Sequence, residues 1–388
     1  MRKLSSLISV LSALLLTSAA KAIDSPAETF WPQWRGPYAT GVSNKADPPT
    51  EWSESKNVRW KVEIPGRGSS SPVVWGDRVF VLTAVPKDVD AAASHQARGM
   101  VTPRLAHRFV VMGINRKDGK VAWEQTVREA EPTEGSHPDN GTWASSSAIT
   151  DGEHVIASFE SQGLYAFDMN GRPIWEKDLG DKRMRNQFGE GSTPALHGKY
   201  LVVVWDHQGE SFIVALDTNT GAEVWRMKRD EIDTWATPLI VEGNGRLQVV
   251  TSGMNRLRSY DLETGQLIWE SAGLTMNAIP SPVGADGMVF VTSGFRGNSL
   301  KAIRLADAKG DITSSPAIAW TLDRDTPYVP SPLLYHGVIY LLKTNSGRAV
   351  GVRREDGETS LSGAAHRCRA QRVLVAGCGR GSRLRGGT

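Results

Sequence analysis

Nine side chains in polar segments of this 388-residue chain carry groups suited to binding or acid–base chemistry. They are carboxylates, guanidinium groups, amides, an imidazole and an indole, which together can hold ions or hydrogen-bonding ligands. The nine candidates for a binding face are Arg185, Glu190, Asp206, His207, Asp233, Trp235, Asn255, Arg296 and Asn298. Any one of them could also be a solvated residue at a loop tip, so their value depends on whether the fold brings them together.

No catalytic residue can be assigned among these nine from the sequence. The sequence contains no Gly-x-Ser-x-Gly nucleophile motif, no His-Glu-x-x-His zinc motif and no phosphate-binding loop. Two pairs, His137 with Asp139 and Asp206 with His207, offer imidazole and carboxylate groups, but neither pair has the additional ligands that a metal ion needs. We therefore expect no metal site.

A repeat in the sequence predicts the elements that position these residues. Tryptophans recur at residues 123, 175, 225, 269 and 320, and four of them end the phrases "NRKDGKVAW", "DMNGRPIW", "DTNTGAEVW" and "DLETGQLIW", with Gly four residues earlier. A turn from Asp or Asn to Gly joins two antiparallel strands and requires positive φ at Gly. We expect the repeat tryptophans to pack between neighbouring sheets. They are Trp60, Trp123, Trp175, Trp225, Trp269 and Trp320.

A second phrase precedes each of these turns. It consists of a small polar pair, then Pro or Ala, then alternating apolar residues around a Gly turn. It occurs at residues 70–84, 146–159, 192–205, 237–250, 281–293 and 331–343. Four short strands in each unit of 40–50 residues are typical of a propeller blade. The sequence therefore predicts an all-β protein, a β-propeller of four-stranded antiparallel blades, with about five complete blades and a partial sixth. A β-sandwich or barrel would not require Trp at a constant offset.

The Asp-x-x-x-Gly-x-x-x-Trp phrase, following a Ser-Pro strand pair, resembles the pyrroloquinoline-quinone (PQQ) type β-propeller repeat. That repeat occurs in quinoprotein dehydrogenases and in the assembly lipoprotein BamB of the outer membrane. The resemblance covers residues 57–347, and "FWPQWRGPYATGV" (30–42) is similar to the leader of exported members. It implies a ring of eight blades. In the dehydrogenases it implies PQQ in the central channel beside Ca²⁺, usually over adjacent cysteines, with an Asp as base.

Residues 23–347 contain no cysteine, so we expect no cofactor and keep PQQ with calcium as the alternative. The same residues carry 33 Lys and Arg against 39 Asp and Glu, a net charge of −6. A mildly acidic body argues against nucleic acid as a partner.

Composition divides the chain into four segments. Residues 1–22 have a basic start, an apolar run and an Ala-Lys-Ala site, which predict a cleaved signal peptide. Residues 23–56 form a leader, and residues 57–347 the incomplete propeller. Residues 348–388 hold nine Arg and no Lys, and we interpret them as an out-of-frame or disordered tail. We expect a periplasmic or secreted protein, with no lipid anchor because no Cys follows the signal, and no later membrane span.

The connections between strands predict where ligands bind. In a four-stranded meander the short Gly turns lie on one face, whereas the other connections, which are long and polar here, lie opposite. The favoured function is a non-catalytic exported scaffold that uses this face to bind a protein or polysaccharide in the cell envelope. A PQQ-dependent dehydrogenase and a polysaccharide-processing enzyme are the alternatives.

Overall fold

A computed structural model of the protein describes residues 26–88, 105–137, 141–343 and 348–362. In these ranges 25 β-strands form six sheets. The helical segments are four 3-10 turns: Pro26–Thr29, Glu160–Gln162, Arg185–Gln187 and Leu305–Asp307. The all-β prediction is confirmed.

The first three sheets each contain four strands in chain order. Sheet 1 has β1 (Val73–Trp75), β2 (Arg78–Pro86), β3 (His107–Asn115) and β4 (Val121–Ala130). Sheet 2 has β5 (Ile149–Thr150), β6 (His154–Ser158), β7 (Leu164–Asp168) and β8 (Pro173–Lys177). Sheet 3 has β9 (Ala195–His197), β10 (Tyr200–Trp205), β11 (Phe212–Asp217) and β12 (Glu223–Lys228).

The last three sheets continue the pattern, with one extra strand. Sheet 4 has β13 (Leu239–Gly243), β14 (Arg246–Thr251), β15 (Arg256–Asp261) and β16 (Leu267–Ala272). Sheet 5 has β17 (Val283–Ala285), β18 (Met288–Ser293), β19 (Ser299–Arg304) and β21 (Ile318–Leu322), and β20 (Gly310–Asp311) pairs in parallel with β16. Sheet 6 has β22 (Leu333–Tyr335), β23 (Val338–Lys343), β24 (Arg348–Arg353) and β25 (Thr359–Ser362).

The sheets are arranged as the blades of a propeller. Apart from β20, neighbouring strands in every sheet are antiparallel and follow one another along the chain. The first strand of each sheet contacts the first strand of the next, from β1 through to β22. The first strands therefore lie innermost, and the apolar clusters fill the spaces between successive sheets. The predicted propeller of four-stranded antiparallel blades is confirmed.

Tryptophan side chains join successive sheets. In five of the six repeat tryptophans, the indole Nε1–H donates to a backbone carbonyl in the turn of the following sheet, at N···O distances of 2.7–3.1 Å. The donor and acceptor pairs are Trp60–Arg116, Trp123–Met169, Trp175–Thr218, Trp225–Leu262 and Trp320–Arg354. Each ring also covers the glycine of that turn, where an added Cβ would lie only 2.5–2.8 Å from the ring. The glycine is therefore required by its positive φ and by the ring.

Trp269 departs from this arrangement. Its Nε1–H donates to Oε1 of Gln248 in its own sheet at 3.0 Å, and its side chain is completely buried. Sheet 5 has no short Gly turn between β19 and β21; the 3-10 turn Leu305–Asp307 and β20 lie there instead. Leu305 and Ile312 from this insertion pack in the cluster around Trp269. The insertion thus replaces the turn on which the other tryptophans dock.

A belt of hydroxyl groups links the innermost strands. At the residue before the Pro or Ala that opens each sheet, the backbone N–H donates to the hydroxyl of the equivalent residue in the next sheet, at 2.8–3.2 Å. The chain of donors and acceptors runs Ser71, Ser147, Thr193, Thr237, Ser281 and Ser331. This is the structural role of the small polar pair in the repeated phrase.

The predicted end of the propeller at residue 347 is corrected by the structure. Strands β24 and β25 complete sheet 6 as far as Ser362, so this sheet also has four strands, and Trp320 docks on Gly357. Arg353 stands where the other turns have Asp or Asn, so this turn keeps only part of the repeated phrase. Leu361 likewise lies opposite Gly351, at the register position where the other sheets have Trp. The predicted signal peptide and residues 363–388 lie outside the described residues.

The leader crosses from one end of the ring to the other. Trp31 forms a bridge with Val74 at β1, and the Pro32 carbonyl accepts a hydrogen bond from Thr150 N–H in sheet 2. The Arg35 guanidinium donates to the carbonyl of Pro332, next to β22 in sheet 6, and to two carbonyls within the leader. The leader therefore ties sheets 1 and 2 to sheet 6.

Residues 57–66 belong to no sheet. Trp60 nevertheless docks like the other repeat tryptophans, and Val62 and Ile64 pack on the cluster around Val110 and Met112 in sheet 1.

Replacing Gly357 with Ala tests whether residues 348–362 belong to the fold. The control is Gly337→Ala in the same sheet, which has nearly the same φ (+73° against +75°) but no atom within 4 Å of the added Cβ. Both changes carry the left-handed backbone cost of about 1–2 kcal/mol. Gly357→Ala should cost about 1–3 kcal/mol more, because the Cβ overlaps the Trp320 ring. Denaturant unfolding measures the free energy of unfolding of both variants. Equal losses of stability in the two variants would contradict the placement of Gly357 in the sixth sheet.

Candidate binding face

The candidate residues lie on connections that emerge opposite the short Gly turns. These connections run from the second to the third strand of each sheet and from one sheet to the next; together they form what we call the long-loop face. The 3-10 turns Glu160–Gln162 and Arg185–Gln187 lie in two of them. The face is therefore built from segments whose ends are fixed by strands.

The most buried ion pair on this face joins Asp206 and Arg229. Arg229 Nε and Nη2 donate to the two carboxylate oxygens of Asp206 at 2.7 and 2.9 Å, and both side chains are fully buried. Arg229 Nη1 also donates to Thr251 Oγ1 and to the Tyr260 hydroxyl. Burial alone would lower the pKa of Arg229, but the Asp206 carboxylate outweighs it, so the pKa lies above its ordinary value. The pair holds the end of β12 against β10.

A second ion pair lies at the entrance to sheet 4. Arg185 Nε donates to Asp233 Oδ2 at 3.1 Å. Burial raises the pKa of Asp233, although Arg185 opposes the shift. Thr234 forms a parallel bridge with Ala278, which brings the entrances of sheets 4 and 5 together. In the described part of the chain, the buried oxygens Oδ1 of Asp233, Oγ1 of Thr234 and Oδ1 of Asn277 have no hydrogen-bond partner.

A third group surrounds the 3-10 turn of sheet 2. Lys182 Nζ lies 2.6 Å from Glu160 Oε2 and 4.5 Å above the ring centre of Trp205, and both members of the pair are buried. Glu160 adopts positive φ (+51°), a backbone conformation that non-glycine residues rarely adopt. The Glu190 carboxylate accepts hydrogen bonds from the backbone N–H and the hydroxyl of Ser161. Burial, and next the charge of Glu160, raise the pKa of Glu190 to about 8, whereas Lys182 opposes them.

His207 and Trp235 are held by backbone groups. His207 Nδ1 accepts a hydrogen bond from the Arg183 N–H at 3.2 Å, and burial, followed by the charge of Lys182, lowers the pKa of His207. The imidazole is therefore neutral near pH 7. The Trp235 indole N–H donates to the Gly189 carbonyl at 2.8 Å.

The remaining candidates lie on loops of sheets 4 and 5. The Asn255 N–H donates to Glu231 Oε2 at 3.0 Å, Asn298 Oδ1 accepts from the Thr326 N–H at 3.2 Å, and the Arg296 guanidinium lies 5.5 Å above the Phe295 ring centre. Asn255 therefore joins the charged network through Glu231, whereas Arg296 and Asn298 contact a different part of the face.

Sequence reasoning missed the partners of the candidates. Glu160, Lys182, Arg229 and Glu231 complete the buried network, yet none lies in a recognisable motif. A buried Lys and a buried Arg within polar loop segments look the same in sequence as exposed ones. No signal in a single sequence would have separated them.

Among the described residues, no group of three or more His, Cys, Asp or Glu side chains is placed to hold a metal ion. Asp139 of the predicted pair with His137 lies outside them. The described residues also include no helix with the length and apolar character needed to cross a membrane.

Comparison with known proteins identifies the family to which the chain belongs. The family described as outer membrane protein assembly factor BamB matches residues 44–213 and 209–371. The chain is 30% identical over 100 residues to outer membrane protein assembly factor BamB from Francisella salina, which covers 26% of this chain and 18% of that protein. It is also 30% identical over 125 residues to the lanthanide-dependent methanol dehydrogenase of Methylacidiphilum fumariolicum, covering 30% and 19%.

The crystal structure of BamB from Moraxella catarrhalis has a similar fold. It superposes with a TM-score of 0.51 and 17% identity, covering 77% of this chain and 74% of that one. In the two sequence comparisons, the matched segments span less than a fifth of the curated relatives.

Replacing Glu190 with Gln should change how stability depends on pH. Because its folded pKa is raised to about 8, Glu190 is protonated in the folded protein, and its contribution to stability is lost as pH rises from about 4.5 towards 8. The Gln side chain is neutral and keeps nearly the shape of the protonated Glu190 carboxyl group. The free energy of unfolding of Glu190→Gln, relative to that of the wild type, should therefore increase by up to about 1.4 kcal/mol for each pH unit in this window.

The matched control is Glu153→Gln, which removes an exposed carboxylate from the opposite face. Urea unfolding at several pH values measures both variants. A wild-type profile parallel to that of Glu190→Gln would contradict the raised pKa.

Proposed function

Because the chain belongs to the family described as outer membrane protein assembly factor BamB, we propose that it is a non-catalytic binding scaffold of the cell envelope. Its long-loop face would hold a protein partner. The signal-like residues 1–22 support export to the periplasm or beyond. No observation favours the polysaccharide partner or the polysaccharide-processing enzyme of the sequence-based alternatives, and neither is part of the proposal.

The observation that carries the proposal is a set of three ion pairs on the face, in each of which the carboxylate is buried. Lys182–Glu160, Arg185–Asp233 and Arg229–Asp206 tie together loops from sheets 2, 3 and 4. Loops fixed before binding lose little conformational entropy when a partner docks. A rigid surface of this kind supports protein recognition.

The same loops present an apolar side chain. Ile232 is 39% exposed, although it lies between the buried carboxylates of Glu231 and Asp233. An exposed aliphatic group on a polar loop is able to anchor a protein partner. We therefore place Ile232 at the centre of the proposed contact.

Photo-crosslinking from Ile232 tests this function. A photoreactive residue at position 232 should give one discrete adduct in cells of the native host, whereas the same residue at Leu267 should not. Leu267 is 49% exposed but lies on outer strand β16, which makes it a matched control. The partner, identified by mass spectrometry, should bind the purified protein, and Ile232→Asp should weaken that binding at least about tenfold, as loss of an interface anchor does. Equal crosslinking from both positions, or no adduct at position 232, would contradict the proposal.

The second candidate function is a PQQ-dependent dehydrogenase. The similarity to a methanol dehydrogenase favours it, as do the buried oxygens of Asp233, Thr234 and Asn277, which have the chemistry of hard-cation ligands.

The charges around this position do not fit the quinone. PQQ carries three carboxylates, yet the neighbouring cations Lys182, Arg185 and Arg229 are already paired with carboxylates. We therefore derive no catalytic step through PQQ.

Titration with PQQ and Ca²⁺ separates the two candidates. We expect no saturable binding at micromolar PQQ and no dye-linked oxidation of alcohols or aldoses, because the neighbouring cations are already paired with carboxylates. The readout is quenching of tryptophan fluorescence. Micromolar binding with turnover would overturn the scaffold and establish the dehydrogenase.

A further inference from the structure

A cleft opens on the long-loop face between the connections of sheets 1 and 2. Its free volume is about 350 Å³, including the open mouth. The walls come from residues 132–135 and 142–146 on one side and residues 158–162 and Glu190 on the other. Much of this volume is the open mouth, so the cleft is a shallow recess that a side chain from outside the protein can reach.

One hydrogen-bond acceptor in this cleft has no partner. Gln162 is 5% exposed, and in the part of the chain that the structure describes its Oε1 makes no hydrogen bond. The orientation of the amide follows from its neighbour. The Thr133 hydroxyl donates to Asp181 Oδ1, so it can only accept from Gln162 Nε2, at 3.1 Å. The amide nitrogen therefore faces Thr133, and Oε1 is left for a donor from outside the protein.

The carboxyl groups around Gln162 Oε1 offer further acceptor oxygens. Glu190 and Glu160 line the cleft, and each carboxylate oxygen has capacity for a further hydrogen bond beyond those from Ser161, Ser146 and Lys182. Lys182, the cation of this group, is 1% exposed and its ammonium is directed to Glu160 and Trp205. A ligand here must therefore be rich in donors and is favoured by positive charge.

Aromatic rings complete the walls. Phe109, Trp143 and Phe159 line the cleft, and Trp143 is fixed by His107, 4.4 Å away between ring centres, and by its N–H bond to the Glu134 carbonyl. Aromatic faces attract ammonium and guanidinium groups and pack against their aliphatic stems. The acceptors match the charged tip of a long basic side chain, and the rings match its aliphatic stem.

We propose that this cleft binds an Arg or Lys side chain from the partner polypeptide. The inference deepens the proposed function and rests on it for the nature of the partner. Gln162 Oε1 and the Glu190 carboxylate receive the N–H donors, and Trp143 covers the stem. The cleft thereby adds a specific polar contact beside the apolar anchor at Ile232.

Binding of a cation in this cleft should release a proton. The titratable and charged groups that face Glu190 are Glu160, Lys182 and Glu134, and the cation would add a positive charge to them. A nearby positive charge favours the ionised carboxylate. The affinity should therefore rise by about tenfold between pH 6 and pH 8.5, where Glu190 loses its proton.

Three short capped peptides, Gly-Arg-Gly, Gly-Lys-Gly and Gly-citrulline-Gly, test the proposal with the full chain. Titration calorimetry at pH 8.5 should detect saturable binding of the Arg or the Lys peptide. The neutral citrulline peptide should bind at least about tenfold more weakly, because hydrogen bonds to charged groups are the stronger ones. The better of the two basic peptides identifies the side chain.

Two variants locate the binding in the cleft. Glu190→Gln and Gln162→Leu should each weaken the binding of the basic peptide at least about tenfold. The matched control Glu153→Gln, which removes a carboxylate from the opposite face, should leave the affinity unchanged. Circular dichroism and urea unfolding check that each variant is folded. If Gln162→Leu does not fold, Glu190→Gln becomes the deciding variant, because it retains the shape of the protonated carboxyl group.

The outcomes separate this inference from the proposed function. No saturable binding of either basic peptide, equal binding of the citrulline peptide, or an equal loss in Glu153→Gln would overturn the cleft proposal alone, provided that Ile232 still crosslinks to a partner. Specific binding of a basic peptide without any adduct at Ile232 would support the cleft and overturn the scaffold.

Discussion

The structure depends on the contact between a repeat tryptophan and the turn glycine of the sheet that follows it along the chain. Each contact combines an indole N–H···O bond of 2.7–3.1 Å with a ring lying on a residue that has no Cβ. A hydrogen bond alone would add little to net stability. A large, partly buried ring adds apolar contact and fixes the distance between outer strands, while the hydroxyl belt from Ser71 to Ser331 fixes the distance between inner ones. Two interactions at different radii thus set the angle between successive blades.

The same contact explains which parts of the fold could be predicted. The geometry of the backbone requires Trp and Gly at a constant offset, and Ser or Thr before Pro. These residues therefore recur in the sequence and predict the blades. The sixth sheet escaped recognition because only Gly357 keeps the motif, while Arg353 and Leu361 replace its polar and aromatic ends. The receiving turn has to supply a glycine and a carbonyl, and Arg354 supplies the carbonyl whatever its side chain. Sheet 5 shows the reverse case, in which an insertion replaces the turn and Trp269 finds Gln248.

The candidate site was less predictable, for a physical reason. The alternation of connections correctly indicated which face carries polar loops, because it follows from the meander. Which charges would be buried depends on contacts between loops of different sheets, as in Arg185 with Asp233 or Lys182 with Glu160. Such contacts have no local pattern. The positive φ of Glu160 has none either, since Glu rarely adopts it and the surrounding contacts impose it.

The buried ion pairs then have a consequence for how the face works. Removing two charges from water costs several kcal/mol per ion, and their attraction repays this only when the geometry is good and other hydrogen bonds complete it. Asp206 and Arg229 meet that condition with four hydrogen bonds from the guanidinium. A pair of this kind adds little to stability compared with an apolar core, but breaking one member leaves an uncompensated buried charge. The loops of sheets 2, 3 and 4 are therefore confined to one arrangement by the cost of separating the pairs. That confinement rests on the blade geometry set by the tryptophans, which holds the partners within reach of each other.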